Sequence, residues 1–226
     1  MNSEEPTLLR HFQEVRNGTG GIAEGGISTV IFCGKMRAES DSGSVLGVHR
    51  NIVEEEVNKE GVNITGLLMG QGNSVLHFIE GPSYSILRTL KRLSDHEHFG
   101  DAGVQSGRIV YVVEDRPQRY FPEWYSCIIA EKRSQTDDFN AESSKDVVND
   151  LAGGLLEIGR GIQKVANSDV EISQYVDHLP GKNLLLALSA STLFFTLDDF
   201  VRTFADPYHI DVESEQSWPL ERVVQY

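Results

Sequence analysis

Three groups of side chains invite a chemical reading. Asp95-His96-Glu97-His98 sets two imidazoles among two carboxylates, the donor types that hold a divalent metal. Histidines two residues apart do not share a helix face, however, and no third cluster stands near them in sequence. The stretch therefore reads as a solvated helix end, where histidine also suits the helix dipole. His77 lies in Val75-Leu76-His77-Phe78-Ile79, where alternation sets it on the face opposite Leu76 and Phe78. A buried histidine on a strand is most often a hydrogen-bonded structural residue. Glu54-Glu55-Glu56 and Asp198-Asp199 cluster carboxylates, but charge runs on helices usually mark solvated faces. Gly18-x-Gly20-x-x-Ala23 has the spacing of a dinucleotide fingerprint. That fingerprint needs a strand before it and a helix after it; here a strand follows and none precedes. The two cysteines, Cys33 and Cys127, form no CxxC pair, which argues against zinc and against a disulfide framework. Neither Gly-x-Ser-x-Gly nor HExxH occurs. No enzyme motif emerges.

The elements that must position these groups follow from periodicity. Ile27 to Gly34 is a β-branched run and a first strand. After a polar loop, Val45 to Glu60 reads as a helix, with Val45, Val48, Ile52 and Val57 near one face and Glu54 to Glu56 on another. Asn63 to Met69 and Ser74 to Ile79 are strands joined by a hairpin turn over Gly70-Gln71-Gly72-Asn73. Ser83 caps a helix to about Ser94, with Ile86, Leu87, Leu90 and Leu93 as its core face. Gln105 to Glu114 and Trp124 to Ala130 are the fourth and fifth strands. The order β-α-β-β-α-β-β predicts an α+β, ferredoxin-like split βαβ sheet with an added strand and two helices on one face.

Beyond residue 130 the pattern changes. A polar stretch over 131–143 reads as a linker, and residues 144–226 read as a helical extension and tail. Val148, Leu151, Leu155, Ile158, Ile162 and Val165 recur at spacings alternating between 3 and 4, a heptad seam from Ser144 to Ala166. Such a seam packs on its own domain or on a partner. Gly153, Gly154, Gly159 and Gly161 each cost about 1 kcal/mol relative to Ala in a helix, so this helix needs a surface to lean on. Leu184 to Leu188 is apolar but too short to type. Thr196-Leu197-Asp198-Asp199 is a capped helix start, and the tail carries Trp218. Residues 1–26 hold five glycines between Asn17 and Gly26 and read as a flexible leader.

The 226 residues suffice for a real hydrophobic core, and the net charge of −14 disfavours nucleic acid and anionic membrane surfaces as partners. No apolar run reaches the length of a membrane helix, and the N-terminus has no signal-peptide core. The expectation is an intracellular chain, in which the sequons at Asn17 and Asn63 are chance matches.

Four segments together carry a resemblance. They are Asn63-Ile-Thr-Gly-Leu-Leu-Met69, Leu76-His-Phe-Ile-Glu-Gly-Pro82, Asp95-His-Glu-His98 and Arg119-Tyr-Phe-Pro-Glu-Trp124. They resemble, in order and with similar gaps, the ITGLLLY, FxQxLEGP, DxRH and RxFxxW pattern of the BLUF domain, a blue-light sensor that uses FAD. The resemblance covers residues 27–130. It implies the fold already read from periodicity and a flavin site built from a first-strand tyrosine, a first-helix asparagine and a third-strand glutamine. Here those positions fall at Cys33, at Asn58 or Lys59, and at His77; the family's tryptophan is kept as Trp124, and the methionine after it is Ser126. Cysteine lacks the rigid phenol, and histidine cannot offer the amide's rearrangement. Lysine replaces a bidentate amide by a point charge. No cofactor is expected, with bound FAD as the alternative. The stretch from Phe200 through His209-Ile210-Asp211 to Trp218-Pro219 is similar to the ending of testis-expressed BLUF-like proteins of ciliated organisms.

These observations lead to an expected function. The chain is a non-enzymatic structural protein with a vestigial flavin site at Cys33, Asn58, Lys59, His77 and Trp124. It has no metal, and it docks to protein partners in a ciliary or flagellar axonemal assembly. The docking residues are Val148, Leu151, Leu155, Ile158, Ile162, Val165 and Trp218, so aspartates at Leu155 and Ile158 should release the chain without unfolding residues 27–130. The rivals are an FAD photoreceptor with altered chemistry and a small-molecule sensor reusing the pocket.

Overall fold

Turn chemistry and alternation build the sheet. The computed structural model describes residues 26–57, 63–99, 103–129, 144–164, 172, 175 and 179–205. The leader up to residue 25, the linker over 131–143, Asn58, Lys59, Val165 and Trp218 lie outside the described residues, as does the Gly18 to Ala23 motif. The described elements are β1 (Ile27–Met36), α1 (Ser42–Val57), β2 (Thr65–Gln71), β3 (Ser74–Gly81), α2 (Ser83–Phe99), β4 (Val104–Arg116), β5 (Trp124–Ile129), α3 (Ser144–Lys164), α4 (Lys182–Ala190), β6 (Phe195–Thr196) and α5 (Leu197–Ala205).

The sheet has six strands in the order β5-β2-β3-β1-β4-β6. β1 pairs antiparallel with β3 and β4, β2 pairs antiparallel with β3, and β5 joins β2 in parallel. This is the split βαβ arrangement with an added strand on one flank, as the sequence predicts. The two-residue strand β6 on the other flank was not foreseen; it pairs with Arg108 and Ile109 of β4.

Local chemistry sets the element ends. Asp41 Oδ2 accepts the Ser44 N–H at 2.9 Å, capping α1 three residues before the expected start at Val45. The β2–β3 turn contains only Gly72 and Asn73, with Gly72 at φ 57°, so Gly70 sits inside the strand. Thr196 Oγ1 accepts the Asp199 N–H at 2.9 Å and donates to Asp199 Oδ2 at 2.7 Å, which is the cap expected for α5.

The main departure concerns the sheet's second face. Strand alternation sends Val30, Phe32 and Met36 of β1 toward α1, α2 and α5, in a core that includes Leu90, Leu93, Leu197 and Phe200. Ile31 and Cys33 point the other way, with Leu67, Met69, Leu76 and Phe78, into a second core built with α3 and α4. A sheet this apolar on both faces must be covered on both. The seam residues Val148, Leu151, Leu155, Ile158 and Ile162 form that cover and are at most 6% exposed. They are therefore not a free docking face, and aspartate at Leu155 or Ile158 would strike the chain's own core. The untyped apolar run at Leu184 to Leu188 is the middle of α4, and it completes the same layer. Gly159 explains how α3 comes so close: a Cβ there would stand 2.7 Å from the Tyr120 carbonyl oxygen.

Candidate functional site

The face of the sheet under α1 carries a buried cluster of rings centred on His77. His77 is fully buried on β3 and aims at α1, where His49 Nδ1 lies 2.7 Å from His77 Nε2. One imidazole donates to the other across this contact, and burial, with His49 adding, holds His77 well below the ordinary histidine range. Phe32 stands across the strand pair from His77 and meets it edge-on, with ring centroids 5.7 Å apart. Trp124, half-buried at the start of β5, closes the other side at 6.1 Å. His77 Nδ1 and Trp124 Nε1 are buried with no hydrogen-bond partner among the described residues. Four side chains from β1, α1, β3 and β5 thus fill the space next to one another.

Cys33 is not part of this group. It lies on the opposite face, in the second core, and burial pushes its thiol pKa far up. The strand period of two makes the reason simple: a one-residue offset moves a side chain through the sheet. The first-strand neighbour of His77 is Phe32, a phenyl ring that has no hydroxyl to donate. Cys127 also belongs to the second core, with its pKa pushed up to about 11, so neither thiol is an activated nucleophile. His49 went unnoticed in the sequence, although it sits four residues after Val45 and three before Ile52, on the apolar stripe. Glu56 likewise lies on the buried side of α1 rather than on the solvated face. Arg88 Nε of α2 reaches its Oε2 at 2.5 Å, and Arg92 adds a longer contact and pairs with Glu55.

The motif residues do different work. Glu80, fully buried, accepts the Tyr120 N–H at 3.0 Å and the Phe121 N–H at 2.9 Å. Arg119 Nη1 donates to the Glu80 carbonyl and to Thr65 Oγ1, both at 3.1 Å. Gly66 sits at φ 141°, and a Cβ there would stand 1.9 Å from the Phe78 carbonyl oxygen. The segments around Thr65-Gly66, Glu80-Gly81 and Arg119 to Trp124 therefore lock the β4–β5 crossover to the sheet. Burial raises the Glu80 pKa, while the two amides and Arg119 and Arg116 pull against it. Asp95 to His98 lie in the last turn of α2, which runs past the expected end near Ser94, and Glu97 is half-buried there rather than solvated; the His98 side chain lies outside those described. There Glu97 is pushed up to about 7 by burial, opposed by its bond from Gly107 and by Arg37 and Arg108. Among the described residues no three histidine, cysteine or acidic side chains gather as a metal site, and no helix is long and apolar enough to cross a membrane.

Fold and site define an α+β protein with a ferredoxin-like sheet, covered on both faces, whose helix-facing cluster is filled by histidine and aromatic rings. The chain belongs to the testis-expressed protein 47 family, whose sequence profile matches residues 27–206. Among solved structures it is similar to the BLUF protein BlrB in its dark state, with 20% identity, 62% of this chain and 97% of that one covered, and a TM-score of 0.40. It is also similar to the BLUF domain of BlrP1, with 13% identity, 73% and 90% covered, and a TM-score of 0.39. A bacterial light-regulated adenylyl cyclase matches with 14% identity over 62% of this chain and a TM-score of 0.36; this chain spans 36% of that protein. The family assignment rests on the sequence profile.

Proposed function

We propose that this chain is a non-enzymatic interaction protein on a BLUF-like scaffold that has given up flavin photochemistry. We further propose that it serves in a ciliary or flagellar axonemal complex. The observation that carries the first part is the packing of Phe32, His49 and Trp124 around His77, the position the resemblance gives to the flavin-contacting glutamine. A flavin would have to displace rings from a close-packed core, and it would find no phenol and no amide at the first- and third-strand positions. The assembly role draws support from the family's testis-expressed description, from the acidic charge and from the resemblance of the C-terminal stretch to testis-expressed BLUF-like proteins of ciliated organisms. With the α3 seam taken up by the sheet, docking falls to groups outside it, and Trp218 is the large apolar side chain the tail offers.

The test is direct. The protein purified from a flavin-replete host is expected to be colourless and folded by circular dichroism. A stoichiometric flavin band overturns the loss of cofactor, and a red shift of that band under blue light restores the photoreceptor. For the assembly role, the tagged chain should stay with axonemes after detergent extraction of ciliated cells; full release into the soluble fraction overturns it. One observation favours a second reading as a small-molecule sensor: the buried, unpartnered His77 Nδ1 and Trp124 Nε1. On that reading a ligand co-purifies and is found by mass spectrometry of the denatured protein.

A further inference from the structure

β4 is the longest of the described strands, yet among the described residues its outer edge is paired only at Arg108 and Ile109, with β6. From Val110 to Arg116 no described strand lies on that side. An open edge of this length is a template for one more strand. Beside it runs a mostly apolar groove of about 240 Å³, walled by Val110, Val112 and Glu114 of β4 and by Phe195, Phe200 and Phe204. Val112 is 36% exposed and Phe195 51% exposed, so the groove is a large apolar surface left uncovered by the described residues.

Where the described chain ends names the occupant. α5 starts beside the β6 pairing and carries the chain to Phe204, which lines a cleft with Ser28, Val112 and Phe200. The neighbouring Ile27 of β1 pairs with Arg116. The chain therefore reaches Ala205 near the far end of the open edge. Beyond Pro207, Tyr208-His-Ile-Asp-Val-Glu213 alternates Tyr208, Ile210 and Val212 with His209, Asp211 and Glu213. That is the period of a strand with one apolar and one polar face. Two intervening residues, 206 and 207, reach about 10 Å when extended, enough to bring Tyr208 to the edge.

The geometry points to residues 208–213 of this chain as a seventh strand on the outer edge of β4. It runs antiparallel to β4 as β6 does, with Ile210 and Val212 set over the groove. Main-chain hydrogen bonds hold the strand, and the groove selects its apolar row. The addition closes an edge that would otherwise invite a second chain.

Hydrogen–deuterium exchange on the full chain tests this. In the wild type, segments 110–116 and 208–213 are both expected to exchange at least about tenfold more slowly than in the full-length Ile210→Asp/Val212→Asp variant. The protection should be independent of protein concentration, at the mass of a monomer. A full-length Val112→Glu variant should release 208–213 while the β1–β3 pairing stays protected. Equal exchange at 110–116 in wild type and double variant overturns the assignment. So does protection of 208–213 that survives Val112→Glu. Protection that rises with concentration alongside a doubled mass also overturns it, and gives the edge to a second copy.

Discussion

At the scale of single residues, two titratable groups, one buried and one half-buried, pull stability in opposite directions with pH. His77 is neutral in the folded protein, because burial, with the neighbouring His49 adding, lowers its pKa below the unfolded value near 6.5. The unfolded chain binds the proton first, so stability is complete above about pH 6.5 and falls as the pH drops below it. His77→Leu should flatten this acid limb: between pH 7.5 and 5.5 the urea midpoint of the wild type should fall more than that of the variant. Equal slopes would show that the pair carries no linkage. Glu97 works the other way. Its folded pKa of about 7 lies above the unfolded value near 4.5, so the folded protein holds the extra proton, and stability is lost as pH rises from about 4.5 through 7. Glu97→Gln should therefore raise the melting temperature at pH 8 and leave it unchanged at pH 4.

At the scale of elements, the motifs that signal the scaffold and the positions that distinguish this chain separate cleanly. Glu80, Arg119, Thr65 and Gly66 fasten the β4–β5 crossover to β2 and β3. Glu80→Ala would leave the Tyr120 and Phe121 amides buried without an acceptor, at a cost on the order of 3 kcal/mol. Chemical denaturation should show that loss, and exchange should speed up first at residues 119–123. This division explains what was legible in the sequence. Strand order, the hairpin and the α5 cap follow from local periodicity and turn chemistry, and they could be read directly. His49 and Glu56 could not be separated from a polar face, because a pattern of hydrophobic residues says nothing of a polar group that finds its partner on another element. Cys33 was placed in the site because the motif gives a position along the strand, whereas the face depends on single-residue parity. The β1 register with β3, which sets Phe32 opposite His77, settles that parity.

At the scale of the whole molecule, the consequential change is from a sheet with a tethered extension to a sheet between two helical layers. Periodicity showed that α3 needed a surface but could not say whose. The answer lay in the strands, where Ile31, Cys33, Leu67, Met69, Leu76 and Phe78 form an apolar face that α1 and α2 cannot reach. Either side alone would expose a large apolar patch to water. The two layers should therefore melt together rather than as an independent domain and extension. Leu155, fully buried at the centre of α3, is the place to ask. Leu155→Ala should cost about 2–5 kcal/mol, and the loss should appear equally in circular dichroism and in Trp124 fluorescence on the far side of the sheet. To keep the tail from contributing, the fluorescence series should be run in a Trp218→Phe background. If Trp124 reports a transition unchanged by Leu155→Ala, the layers fold separately and α3 is an appendage. If the transitions shift together, the α3 seam is part of the core, and partners must find the molecule elsewhere.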